Sequence, residues 1–197
     1  MLVTNCEVYG LENSIKASKY PMAVDTAKCT DEITANVKKL AGCQPGTGHD
    51  QFLTGIVVQF DLKFSMKAWV EAERYHFFDF VSSQSTMHRI TKFTPESQCV
   101  AYVDPDAIAV LNRKIHRYEM NPTPDNYLEV VYNIPSGFQL TARMTTNYRQ
   151  LKTIYHQRKN HRLPEWREFC AWVETLPYSG LITGKELSTD EYKLKNA

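Results

Sequence analysis

At 197 residues and 43% hydrophobic, the chain is long enough for one domain with a sizeable core. A formal net charge of +1, a pI of about 7.6 and the absence of any recognisable RNA or DNA motif argue against a nucleic-acid binder. No stretch approaches the roughly 18 consecutive apolar residues of a membrane helix, and the N-terminus lacks the charged-then-apolar order of a signal peptide, so a cytoplasmic location is expected. Leu2 to Tyr9 reads as an opening strand ended by Gly10. Thr30-Asp31-Glu32 predicts a helix start, with Ile33, Val37 and Leu40 at helical spacing and Gly42 as its stop. Gln44 to Gly48 is a loop by composition, and Ile56 to Leu62, rich in β-branched residues, is a strand. Met66, Trp69, Val70, Phe77, Phe80 and Val81 recur at helical spacings, which predicts a buried helix face. Asp104 as cap and Pro105 at the first helical position open a helix with Ile108, Leu111, Ile115 and Tyr118 on one side. Phe138, Leu140, Ala142 and Met144 alternate with polar neighbours, giving a strand that delivers Asn147 to a following helix. Pro164 starts the next helix, with Trp166, Phe169, Cys170 and Val173 facing inward. With no internal repeat and no linker, residues 1–183 are expected to form a single domain and 184–197 a polar, frayed C-terminal tail.

The most informative segment is the one that runs from Asn147 to Arg167. Arg149, Lys152, Arg158, Lys159, Arg162 and Arg167 stand against the single Glu165, a local net charge of 6 − 1 = +5 in a chain that sums to +1. With His156 and His161 added, such a run reads either as a surface built for an anion or as a solvated basic helix. Asn147 is a favourable N-cap, and the free backbone N–H groups of the first turn, the positive end of the helix dipole and Arg149 together make a candidate phosphate seat. A second segment, Phe80 to Ile90, is a run of small polar residues closing on the pair His88-Arg89, with Gln84 four residues before His88, so that a continuous helix would put Gln84 and His88 on one face. Ser82, Ser83 and Ser85 lack the Gly-x-Ser-x-Gly setting of a hydrolase nucleophile. Five scattered cysteines, Cys6, Cys29, Cys43, Cys99 and Cys170, form no CxxC and no metal-ligand spacing, which predicts reduced, mostly buried thiols and no metal site.

Taken together, the two segments resemble the flavin-dependent thymidylate synthase (thymidylate-synthase-complementing) family. Gln84 and His88-Arg89 match the family's Gln and the second half of its Arg-His-Arg triplet; Asn147, Arg149 and Leu151 match its Asn-x-Arg-x-Leu; Arg158 lies eleven residues after Asn147 (158 − 147 = 11), as the family's Arg does; and Glu165-Trp166-Arg167-Glu168-Phe169 matches its last helix. Three departures mark a divergent member. Met87 stands where the first Arg of the triplet would be, and Thr91 to Ser97 does not reproduce the Ser-x-Asn-Glu stretch that follows it. No His stands near Phe52 to Gly55, where the family has one implicated in catalysis, so no catalytic residue is assigned. The resemblance implies an α+β single domain with a central, mostly antiparallel sheet flanked by helices. It implies FAD held by His88, Arg89, Asn147 and Arg149, and a pyrimidine nucleotide held by Gln84 and Arg158. It further implies NADPH and methylenetetrahydrofolate as co-substrates, methylation of dUMP or a related nucleotide at C5, and a homotetramer whose sites lie between subunits. Two other readings stay open: a non-catalytic descendant of the fold that binds a nucleotide, and a nucleic-acid binder that uses the basic segment 147–167.

Overall fold

Strands β2 (Val57–Ser65) and β4 (Gln139–Asn147) form the centre of a four-stranded sheet in the computed structural model, which describes residues 1–44 and 46–185. With β1 (Leu2–Tyr9) on one edge and β3 (Phe78–Ser83) on the other, the order is β1-β2-β4-β3 and every neighbouring pair is antiparallel. The strict alternation on β2 decides its two faces. Val58, Phe60, Leu62 and Phe64 are fully buried, whereas Gln59, Asp61 and Lys63 point to the opposite side.

Two helices cover the apolar face. β4 runs into α8 (Tyr148–Arg158), which turns back along the sheet and is followed by α9 (Pro164–Val173). Trp166, Phe169, Cys170 and Val173 face inward as their spacing predicts, and Phe64 meets Trp166 edge-on at 5.1 Å between ring centroids. Each such buried aromatic or aliphatic side chain stabilises the fold by roughly 2 kcal/mol relative to exposure. The other face stays polar, and Arg143 of β4 ties it together by donating to Glu7, Asp61 and the carbonyl of Asn5.

A second, smaller core of Ile90, Leu111, Ile115, Val130 and Phe138 lies under α6 (Pro105–Met120) and α7 (Pro124–Val131). Asp104 caps α6 through the amide of Asp106 with Pro105 at its first position, as the sequence indicates. Short helices complete the chain: α1 (Leu11–Ala17), α2 (Ala35–Ala41), α3 (Met66–Ala72), α4 (Thr86–Arg89), α5 (Pro95–Gln98) and α10 (Gly180–Thr183). Gly10, at φ 72°, ends β1, and a side chain there would strike the carbonyl oxygen of Gly55, so only glycine fits.

Several expectations need correction. The helix predicted to continue from Met66 to Val81 ends at Ala72, and Phe78–Ser83 is an edge strand. Pairing with β4 overrides a periodicity that short apolar runs satisfy for either structure. Val70, Phe77, Phe80 and Val81 are therefore exposed rather than a buried face. The helix expected from Thr30 starts at Ala35, because the Thr34 hydroxyl, not Thr30, accepts the capping bond from Val37. None of the five cysteines is in a disulfide, but only Cys170 is buried, where burial pushes its thiol up to about 12. The predicted tail beyond Lys185 lies outside the described residues. No helix among them is long and apolar enough to cross a membrane.

Candidate functional site

The bulged end of β3 sets up the first segment. After the register shift between Phe80 and Ser82, Gln84 prolongs the ladder: its N–H donates to the Thr141 carbonyl and its Oε1 accepts from the Thr141 N–H, both at 2.9 Å. Gln84 thus lies outside α4, and the helical face it was expected to share with His88 does not form. Its amide nitrogen, with no hydrogen bond to another described residue, is left to meet a ligand. α4 begins two residues on and is pinned from the other side by Tyr127 of α7, whose hydroxyl donates to the Met87 carbonyl at 2.8 Å. Ile90, fully buried, anchors the next turn. That anchoring leaves Met87, His88 and Arg89 projecting outward, and no hydrogen bond or ion pair joins the side chains of His88 or Arg89 to another described residue. Two nitrogen-rich side chains held on a fixed turn, with no internal acceptor, suit an external anion.

The second segment is built as the sequence predicts at its start and differently along its length. Asn147 is the N-cap of α8, with extended backbone and Oδ1 accepting from Gln150 N–H at 2.9 Å. Arg149 is already engaged: Nε donates to Asp50 at 3.0 Å and one Nη to Gln51 at 2.9 Å. Lys152, buried, donates to Asp50 and to the carbonyls of Ala41 and Cys43. Arg167 donates to the carbonyls of His161 and Arg162. Most of the basic run is therefore matched to acceptors of its own chain, and the surface for an anion is much smaller than the +5 count suggests. Asp50, only 1% exposed, is the residue that sequence reading missed, since a lone Asp in a Gly-rich loop gives no sign of two cationic partners a hundred residues later.

Arg158 is enclosed. Its Nε donates to the Tyr75 hydroxyl at 2.7 Å, Nη1 donates to Glu71 at 2.8 Å, and the guanidinium lies 4.9 Å over the Trp166 ring. The Glu71 carboxyl is raised by burial, but Lys67, His161 and Arg158 outweigh that and hold it below the ordinary carboxylate range. His161, 2.7 Å from the same guanidinium, is held below the usual histidine range by burial and by Arg158, against the opposing pull of Glu71. Neither Glu165 nor Glu168, the acids close to it in sequence, is its partner; Glu165 instead accepts from Ser65 and Gln139.

The two segments sit at opposite ends of β4. Gln84 pairs with Thr141, while Asn147 closes the strand six residues later, a separation of about 20 Å at the usual strand rise. Within one chain, His88 and Arg89 are thus not gathered around the same point as Asn147 and Arg149.

No family model and no curated protein sequence matches the chain. Solved structures do. A flavin-dependent thymidylate synthase ThyX from Helicobacter pylori, complexed with FAD and dUMP, superposes with a TM-score of 0.73 at 15% identity, over 93% of this chain and 97% of that one. A second structure of that ThyX with FAD and dUMP gives 0.73 at 17%, over 98% and 100%. The fold is that of the flavin-dependent thymidylate synthases. A UMP/dUMP methylase PolB from Streptomyces cacaoi, bound with 5-Br dUMP, is similar at a TM-score of 0.58 and 12% identity, over 88% and 89%. Most of the length of each chain is covered in all three comparisons.

Proposed function

We propose that this protein is a flavin-dependent methyltransferase that places a methyl group on C5 of dUMP or a related pyrimidine nucleotide, with methylenetetrahydrofolate as carbon donor and NADPH as reductant. The observation that carries the reading is the exposed His88-Arg89 turn, without acceptors among the described residues, on a fold shared with a flavin-dependent thymidylate synthase complexed with FAD and dUMP. FAD, when bound, supplies the redox chemistry; the chain's task is to hold anionic molecules in register. His88 and Arg89 would donate to an anionic part of the cofactor. The capped first turn of α8, with the Asn147 amide nitrogen and the remaining Arg149 nitrogen, would receive another. The Gln84 amide nitrogen and Arg158 are assigned to the nucleotide, with Arg158 needing to exchange Glu71 for it. Because the two segments are about 20 Å apart on one chain, a complete site calls for two subunits, in keeping with a homotetramer. The exposed Phe77, Phe80 and Val81 of the edge strand give such an assembly an apolar surface to bury. A cytoplasmic location belongs to the same reading.

The test is retention of flavin: after incubation with FAD and desalting, the protein is expected to be yellow, with flavin absorption near stoichiometric to subunits. A colourless protein at micromolar concentration overturns the proposal. One observation favours the second reading, a non-catalytic nucleotide binder: Met87, 53% exposed, replaces a phosphate-gripping Arg with a group that cannot donate. Flavin retention without release of tritium from C5-labelled dUMP would decide for it. The nucleic-acid reading loses its support, since the basic run donates mainly to its own chain.

A further inference from the structure

A cavity of about 260 Å³ lies where α2, α8 and α10 meet, away from the His88-Arg89 turn. Its lining carries Lys38 from α2, Lys152 and His156 one turn apart on α8, and Lys185 just after α10, and no carboxylate lines it among the described residues. The remaining wall is apolar or small, with Ala41, Leu181 and Ile182. Gathering three ammonium groups and an imidazole around one hollow costs Coulomb energy, and the fold offsets it only in part. Lys152, buried at the floor, is matched by Asp50 and two carbonyls, but Asp50 also serves Arg149. Lys185 is drawn outward to Glu174 at 2.7 Å. Lys38 and His156 have no side-chain hydrogen bond or ion pair to a described residue; the nearest ring to His156 is Tyr155. Counting Asp50 with Arg149 and Lys152, Glu174 with Lys185, and Lys38 alone, the described neighbourhood carries four minus two, or +2. A hollow with an uncompensated positive charge, ammonium donors at its rim and an apolar back wall has the chemistry of a small-anion site.

We propose that this cavity binds a phosphate-class anion, either free phosphate or a small phosphomonoester whose carbon part lies on Leu181 and Ile182. The volume falls below that of ordinary cofactor pockets, roughly 300–1,000 Å³, which excludes a whole dinucleotide. His156 is a built-in reporter. Burial, Lys159 and Lys152 hold its pKa below the usual range, and an anion beside it, with Lys38 and Lys185 facing it from the neighbouring elements, raises that pKa.

The experiment is NMR titration of the full chain, following the His156 ring resonance, assigned by its loss in His156→Gln, against inorganic phosphate and, separately, glycerol 3-phosphate at constant ionic strength. A saturable shift is expected, with an upward move of the His156 titration midpoint. Lys38→Gln, at an exposed position on a short helix that leaves the core untouched, is expected to weaken binding roughly tenfold, the loss of one charge-assisted contact. Tighter binding of glycerol 3-phosphate assigns the apolar wall to a phosphomonoester, and equal binding assigns free phosphate. A resonance that does not move with either ligand, or a shift that is linear with concentration and unchanged by Lys38→Gln, overturns the proposal. The outcome is independent of flavin retention, so its failure says nothing against the methyltransferase reading.

Discussion

Arg158 and Met87 carry opposite lessons about what a single side chain in a motif can be asked to do. The family resemblance assigns Arg158 to a substrate, yet Arg158 is 7% exposed and bonded to Glu71 and Tyr75. Removing one partner of a buried pair leaves the other charge without compensation, a loss of about 3 kcal/mol. Arg158→Ala is therefore expected to lower the melting temperature by roughly 6–12 °C for a chain of this size, measured by calorimetry. Glu71→Gln should produce much of the same loss, and the double variant should fall short of the sum, because the two share one interaction. A variant as stable as the wild type would mean that the pair contributes nothing and that Arg158 is held there for a ligand. If the folded variant also loses dUMP affinity, Arg158 serves both roles. Met87 offers the reverse case. It is exposed on a turn that Tyr127 and Ile90 hold in place, so Met87→Arg adds a fork of donors beside His88 and Arg89 without disturbing a core. Tighter dUMP binding is expected, with a gain that shrinks as salt screens the new charge. Unchanged affinity at low salt would show a site rebuilt for another ligand.

The junction of α3, α8 and α9 is where charge couples to packing. Glu71 on α3, Arg158 at the end of α8 and His161 in the connection to α9 form one cluster. Both titratable members change stability with the same sign. Glu71 is more acidic folded than its ordinary 4.5, so its contribution is complete above that value and disappears as pH falls through the lower folded value. His161 is less basic folded than its ordinary 6.5, so the unfolded chain takes up protons first as pH drops below 6.5, again favouring unfolding. The melting temperature should fall on acidification, beginning at a histidine step that His161 shares with His156, and His161→Gln should shrink that first step while keeping the carboxylate one. An unaltered profile would place the pH dependence elsewhere. These elements also show where the sequence was readable. β4, the Asn147 cap, α8 and α9 follow from alternation, a capping side chain and Pro164, all local signals. The Asp104-Pro105 opening of α6 was equally plain. β3 was not, because Phe77, Phe80 and Val81 satisfy helical spacing and only the presence of β4 beside them makes a strand. α1 and α7 went unpredicted, though Thr123 and Pro124 form a cap of the same kind as Asp104 and Pro105. The partners of Arg149 and Arg158 were invisible for a different reason: Asp50 and Glu71 are 99 and 87 residues away in the chain.

A site assembled from both motif segments is a statement about the whole assembly. His88 and Arg89 stand at the Thr141 end of β4, and Asn147 and Arg149 at the other, about 20 Å away along a strand that cannot shorten. If each flavin is held by one segment from one subunit and the other segment from a neighbour, disabling the segments in different chains should permit rescue. The double variant His88→Ala and Arg89→Ala is expected to lose FAD on its own. Arg149→Ala is expected to do the same, with a second route to loss, since Asp50 would keep only Lys152; a thermal melt separates that from a binding defect. When the two variants are unfolded together, mixed in equal amounts and refolded, subunits distribute at random. Roughly a quarter of the composite sites then draw an intact segment from each variant, the value expected for two independent choices in a symmetric oligomer. Flavin retained after desalting should return to about that fraction of the wild-type amount. Wild-type protein taken through the same refolding sets the ceiling, and each variant refolded alone sets the floor. Recovery at the floor would mean that one chain supplies every flavin contact. The Asn147 and His88 segments would then serve different ligands, and the motif match would no longer describe a single site.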